Sequence, residues 1–235
     1  MTDLSNTVMV ITGAAGTLGA AVAEACEAAG ATTALVDRAP DRLRQTRDAG
    51  ATRLLLEGVD LTSEGAARDM VTAVMDRFDR IDALVHTVGG FHGGDTVQED
   101  DLSTWDAMMS LNLRTAVIAC RAVLPTMRDQ GGGAIVTVSA GAALSGRAGL
   151  AAYGASKAAL LRLTESLSEE VKAEGIRVNA VLPSIIDTAR NRQAMPNADR
   201  STWVAPDAIA AVIAFLVSDA ARAVTGVALP VTGRG

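Results

Sequence analysis

Val8-Met9-Val10-Ile11-Thr12-Gly13-Ala14-Ala15-Gly16-Thr17-Leu18-Gly19 reads as a buried strand running into a glycine-rich turn that opens a helix. A short β-branched apolar run suits a strand covered on both faces. From Thr17 the pattern changes: Leu18, Val22, Ala25 and Ala29 share one helical face, and Gly30 follows, where helices commonly stop. Glycines at such a turn let the backbone approach a pyrophosphate closely, and the helix N-terminus adds roughly half a positive charge. Asp37 supports that reading, because it ends the next strand 18 residues after Gly19. An acid there holds the adenosine ribose hydroxyls of a dinucleotide and repels a 2′-phosphate. NAD(H) is therefore the expected cofactor, with NADP(H) kept open by Arg38, which can pair with a phosphate.

Outward from this unit the chain repeats it. Strands are expected at Thr32–Val36, Arg53–Leu56, Ala83–His86, Ala134–Ser139, Arg177–Leu182 and Val227–Val231. Helices are expected at Pro40–Asp48, Ser63–Phe78, Asp101–Arg128, Ala151–Lys172 and Pro206–Ser218. Alternating strands and helices imply an α/β fold with a parallel sheet covered on both faces. No linker, repeat or low-complexity segment divides residues 1–235, so one domain is expected. The polar stretch Ser184 to Trp203 reads as a mobile substrate loop.

Bulk properties narrow the function. Net charge is -6, which disfavours nucleic acid as a partner. No apolar run approaches 18 residues, so no membrane span is expected. The first basic residue is Arg38, which argues against a signal peptide and for a cytoplasmic protein. Cys26 and Cys120 lack metal-ligand spacing and read as buried thiols; no metal site is expected.

The chemistry concentrates in Tyr153-Gly154-Ala155-Ser156-Lys157, at the start of a helix, where positions i and i+4 share a face. Tyrosine titrates near ~10, so proton exchange near neutrality needs the phenolate favoured by about 4 kcal/mol. One ammonium ~4 Å away supplies about that much at an effective dielectric of 20, and an oxidised nicotinamide adds further positive charge. Tyr153, the one tyrosine in the chain, is thus read as an acid/base tuned by Lys157.

TGAAGTLG, Asp37, Asp60, Asn112, YGASK and Arg177 to Pro183, taken together and in this order, resemble the short-chain dehydrogenase/reductase family over essentially the whole chain. The resemblance implies a Rossmann-like three-layer αβα fold, a seven-stranded sheet of order 3-2-1-4-5-6-7, a homodimer or homotetramer, and a small carbonyl or imine-like substrate. It implies that Gly13, Ala15, Thr17, Leu18 and Gly19 cradle the pyrophosphate. Asp37, Arg38, Asp60 and Leu61 would then meet the adenosine, and Val88, Gly89 and Gly90 would line the cofactor. Pro183, Ile185, Ile186 and Thr188 would hold the carboxamide. Lys157 would also bind the nicotinamide ribose, and Asn112 would interrupt its helix and hold a proton-relaying water.

The chain departs from the family pattern in several places. The usual third glycine stands at Gly16 rather than at position 17, and the usual Asn-Asn-Ala-Gly is His86-Thr87-Val88-Gly89. Ser184 replaces a glycine after Pro183. The substrate-orienting serine expected 13 residues before the tyrosine is Ala140, and Ser139, one residue early on a strand, points to the other face. Ser145 and His92 are possible replacements, and Phe91, Met195 and Trp203 are further pocket candidates. His86 reads as a satisfied strand-end histidine. Ala140, the Gly89 to Gly94 stretch and the Asp187 to Trp203 region also resemble dihydropteridine reductases of the family. The leading expectation is hydride transfer between NADH and a carbonyl or imine-like carbon. The alternatives are an NADH-dependent quinonoid dihydropteridine reductase and, of another class, a dinucleotide-binding regulatory protein with little turnover.

Overall fold

The computed structural model describes residues 2–233; Met1, Arg234 and Gly235, the ends of the expected domain, lie outside the described residues. Seven parallel strands form one sheet: β1 (Val8–Thr12), β2 (Thr32–Asp37), β3 (Arg53–Glu57), β4 (Ala83–His86), β5 (Gly133–Val138), β6 (Ile176–Pro183) and β7 (Ala228–Val231). Their order is β3-β2-β1-β4-β5-β6-β7, as expected. β1 pairs with β2 on one side and with β4 on the other, Thr12 lying opposite both Val36 and His86. The winding direction reverses between β1 and β4, so the loops that follow them diverge and leave a crevice at the carboxyl edge of the sheet.

Two cores sandwich the sheet. Met9 and Ile11 point to one face and pack with Val22 and Cys26 of α1 (Thr17–Ala28) and with Ile209 and Ile213 of α7 (Pro206–Val217). Val8 and Val10 point to the other face. There they meet Met70 and Val74 of α2 (Glu64–Phe78), Ile118 and Val123 of α4 (Thr115–Gln130), and Leu167 and Val171 of α5 (Ala151–Val171). Cys26 and Cys120 are free and buried, and burial pushes each thiol up to about 12.

The long helix expected at Asp101–Arg128 is a run of three pieces. α3 (Leu102–Met109) and α4 are joined by a π-helical turn, Ser110–Arg114, which contains Asn112. By length and composition the run Leu102–Gln130 passes as a membrane span, which the sequence reading did not flag; half of its most apolar window is buried inside the fold.

Two expectations need correction. Residues 40–46 form turns, not a helix. Glu57 reaches in from β3 and accepts from the Leu43 and Arg44 N–H groups, which supplies a tertiary partner in place of helical ones. Residues 184–203 are not irregular: they hold a short helix, α6 (Ala189–Ala194), and a 3-10 turn, Arg200–Thr202. Asp187 N–H donates to Val204 O at 2.8 Å, Val204 N–H to Ile185 O at 2.9 Å, and the Asp187 carboxylate takes Arg192 in a two-point pair at 2.6 and 2.7 Å. These bonds anchor both ends of the segment.

Candidate active site

At the β1 side of the crevice the glycine-rich turn presents mostly backbone. Gly13 adopts φ +71°, which L side chains rarely adopt. At Gly19 a Cβ would lie 2.3 Å from Gly13 O, so helix α1 sits directly on the turn. Gly16 caps α1 without a side-chain hydrogen bond, and the first helical turn carries no acid. Its N–H groups are therefore left for an anion. Ala14 N–H donates to Val36 O, and the Asp37 carboxylate accepts from Ala15 N–H and Ala39 N–H, both at 3.0 Å. Asp37 thus stands at the mouth of the glycine-rich turn, where the sequence put it. Arg38 beside it is exposed. Asp60 is turned onto Thr62, whose N–H and hydroxyl hold its carboxyl below the usual range, with a smaller contribution from Arg38. Leu61 is buried, and Val88 packs on the core.

Gly89 links this half of the crevice to the chemical half. A Cβ there would lie 2.9 Å from Asn112 Oδ1 and 3.1 Å from Lys157 Nζ. The space above Gly89 is thus bounded by an amide oxygen and an ammonium. The crevice fits a dinucleotide in this respect: Gly13 and Gly19 let the β1 turn, the start of α1 and the loop after β4 pack closely, and Gly89 puts no Cβ between Asn112 and Lys157.

Asn112 is fully buried on the π-helical turn. Its Oδ1 accepts from Gly90 N–H at 2.9 Å, while Nδ2 donates to Gly90 O at 3.2 Å and to Ser156 Oγ at 3.0 Å. Ser156 Oγ donates in turn to Tyr153 O at 2.8 Å. The carboxamide is thus committed to Gly90 and Ser156, with one further acceptor site on Oδ1 toward Gly89. The sequence reading assigned Ser156 no role; its place between Tyr153 and Lys157, one turn from the former, was the available signal.

Lys157 is buried and donates from Nζ to Val138 O at 2.9 Å; burial lowers it to about 8. Tyr153 lies one helical turn away in α5. The two side chains are not hydrogen-bonded to each other, and the expected lowering of the phenol is reversed: burial pushes Tyr153 up to about 12. The Phe91 ring packs edge-on against Tyr153, centroids 4.9 Å apart at 69°. In the protein alone, loss of hydration around the phenolate outweighs the ammonium's help.

The position expected to carry a serine is Ala140, buried at the end of β5. Ser139 faces away, as expected, its Oγ donating to Lys157 O at 2.8 Å. Ser145 is exposed, and His92 pairs with Asp95 at 2.9 Å on the loop after β4. With Asp100 these two form the one group of potential metal ligands among the described residues, and exposed acidic groups commonly gather without an ion. Ile185 is exposed, Pro183 closes β6, and Ile186 bridges to Val204. Thr188 caps α6, its hydroxyl oxygen accepting from Asn191 N–H at 3.1 Å, which leaves its proton free to donate. Met195 ends α6 half-buried, whereas Trp203 is buried, more wall than contact surface.

His86 is saturated. Thr115 Oγ1 donates to Leu111 O at 2.7 Å, so it accepts from Nε2–H of the ring at 3.1 Å; Nδ1 then accepts from Thr12 Oγ1 at 2.9 Å. Burial, and secondarily the Lys157 charge, lowers it to about 3.

The family model described as short chain dehydrogenase matches residues 7–199. The cis-4-hydroxycyclohexanecarboxylate dehydrogenase of Sinomonas cyclohexanicum is 36% identical, over 96% of this chain and 95% of its own length. The D-threitol dehydrogenase of Mycolicibacterium smegmatis is 34% identical, over 98% and 93%. Among solved structures, levodione reductase superposes with a TM-score of 0.88 at 29% identity, covering 97% of each chain. A 3-ketoacyl-(acyl-carrier-protein) reductase from Brucella melitensis, complexed with NADH, gives 0.88 at 27% identity over 99% of each. With the sheet order and the crevice, these matches make the chain a member of the short-chain dehydrogenase/reductase family, an oxidoreductase of alcohol and ketone groups.

Proposed function

We propose that this protein interconverts a secondary alcohol and its ketone with NAD(H), using Tyr153 as the acid/base. The observation that carries the reading is the convergence of Lys157 Nζ and Asn112 Oδ1 on the space above Gly89, one helical turn from Tyr153. The backbone at Gly13, Ala15 and Thr17 to Gly19 would hold the pyrophosphate. Asp37 would hold the adenosine ribose and repel a 2′-phosphate. Bound there, the nicotinamide supplies or takes up the hydride. Tyr153 gives its phenolic proton to the carbonyl oxygen in reduction and takes it back from the alcohol in oxidation. Lys157, charged at neutral pH, stabilises the phenolate between these steps. Asn112 fixes Gly90 and, through Ser156, the turn of α5 that carries Tyr153.

The test is initial-rate NADH oxidation with a panel of ketones. Tyr153→Phe is expected to lose about a thousandfold or more in kcat while NADH still binds, and the parent is expected to prefer NADH to NADPH. Retained turnover without the phenol would overturn the acid/base assignment. Equal efficiency with NADPH would overturn the cofactor assignment. Ala140, which offers the carbonyl no hydroxyl, favours one second reading, reduction of a quinonoid dihydropterin. Fast Tyr153-dependent turnover of that compound, with none of the ketones, would establish it. Tight NADH binding with no turnover at all would leave a dinucleotide-binding regulator.

A further inference from the structure

Single exposed apolar side chains are ordinary on a protein surface, but a gathering of them is not. Among the described residues six large apolar side chains are exposed: Phe91, Val97, Leu102, Leu144, Ile185 and Phe215. Five of the six, all but Phe215, come from the segments that follow β4, β5 and β6, at the edge of the sheet that bears the crevice. Phe91 is the one in contact with Tyr153.

Its position is built rather than accidental. Asn112 clamps the preceding residue, Gly90, by both its N–H and its C=O. On the other side, a Cβ at Gly93 would lie 3.0 Å from Phe91 Cζ and 2.5 Å from Leu150 Cδ2, so the absence of a side chain there lets the loop pack closely on the ring. The ring is held against Tyr153 and still 58% exposed. It has not collapsed into the core, and its free surface lies beside the group that handles the proton. Polar grips are scarce there: Ala140 carries only a methyl group, and the Ser139 hydroxyl is committed to Lys157 O.

We propose that Phe91 is a specificity residue of this site, and that its open surface receives a ketone whose carbonyl belongs to an apolar ring. This rests on the reading of Tyr153 as the acid/base. Packing against the aromatic ring would orient the carbonyl toward Tyr153 in place of a serine hydroxyl. A small acyclic ketone covers too little of that surface to be oriented by it.

The experiment measures the affinity of cyclohexanone and of butan-2-one for the NAD⁺-loaded protein, a pair of partners that cannot react. The parent is expected to bind cyclohexanone more tightly. Phe91→Ala is expected to reduce the cyclohexanone-to-butan-2-one affinity ratio about tenfold, as loss of a large apolar contact predicts. Phe91→Leu, which restores apolar bulk, should keep the ratio within about threefold of the parent. A parent without ring preference, or a ratio unmoved in Phe91→Ala, would overturn the proposal. If Tyr153→Phe still turned ketones over, the acid/base reading would fail while these affinities stood, so the two failures are separable.

Discussion

The Asn112 carboxamide is paired edge to edge with the backbone of Gly90, accepting its N–H at 2.9 Å and donating to its C=O at 3.2 Å. The same nitrogen reaches Ser156, whose hydroxyl holds the Tyr153 carbonyl. One buried amide thus connects the loop bearing Phe91 to the helix bearing Tyr153. Ser156→Ala removes the middle of that path. It should cost about 1–2 kcal/mol of stability and lower kcat about tenfold with NADH affinity retained. A loss of stability with kcat unmoved would mean that Ser156 only supports the fold.

Tyr153 is the one tyrosine in the chain, so its phenolate absorbance can be followed without interference from another. In the cofactor-free protein the midpoint should lie at about 12. The folded value is raised above the ordinary ~10. The stability contributed by the neutral phenol is therefore complete below ~10 and lost as pH climbs through about 12. Adding NAD⁺ should pull the midpoint down, since a nearby positive charge favours phenolate. A midpoint near ~10 in the free protein, unmoved by NAD⁺, would contradict the burial argument.

Lys157 is costly to the fold. Burial lowers it to about 8, so the folded state prefers the neutral amine; the penalty is complete below that pH and fades as pH rises toward 10.5. Lys157→Met keeps the volume and removes the charge. At pH 7 it should unfold at higher temperature, by about 1–2 kcal/mol after the Val138 carbonyl loses its donor, while activity falls at least about a hundredfold. The gain should shrink in the same melting experiment at pH 10. A variant less stable than the parent at pH 7 would refute this.

Gly16 and Gly19, in the turn and first helix that follow β1, should respond unequally to one methyl group. In Gly19→Ala the new carbon meets backbone at 2.3 and 2.8 Å, so the helix or the turn must shift. A loss of about 3 kcal/mol and of NADH binding is expected. In Gly16→Ala the nearest atom is Gly13 O at 3.2 Å, and the expected cost is about 1 kcal/mol, that of a poorer helix cap. Unfolding curves and NADH titration of the two variants check the contrast.

The features legible in the sequence were those written in local spacing. Gly13 to Gly19, Asp37 and the Tyr153–Lys157 interval each sit within one or two adjoining elements; the alternation of strands with helices gave a parallel sheet, and its strand order came from the resemblance to the short-chain dehydrogenase/reductase family. What escaped depended on partners far along the chain. Residues 40–46 have helical composition, but Glu57 offers their N–H groups a carboxylate from β3. The segment 184–203 looked loose because its anchors, the bonds of Ile185 and Asp187 to Val204, join its two ends across the intervening chain. The edge-on contact of Phe91 with Tyr153 joins residues 62 apart, and the rise of the phenol to about 12 follows from burial, which composition does not display. Spacing could estimate the attraction between Tyr153 and Lys157, but not the water both had lost.

His86, locked between Thr12 and Thr115, also shapes how the crevice meets a changing medium. With this imidazole at about 3 and Lys157 at about 8, mild acid leaves the charges of the proton-handling groups as they were. A histidine able to titrate here would couple turnover to every drift in acidity. By keeping it neutral and fully bonded, the fold removes one titrating group from the crevice, so from neutrality down into mild acid the charge pattern around Tyr153 holds still.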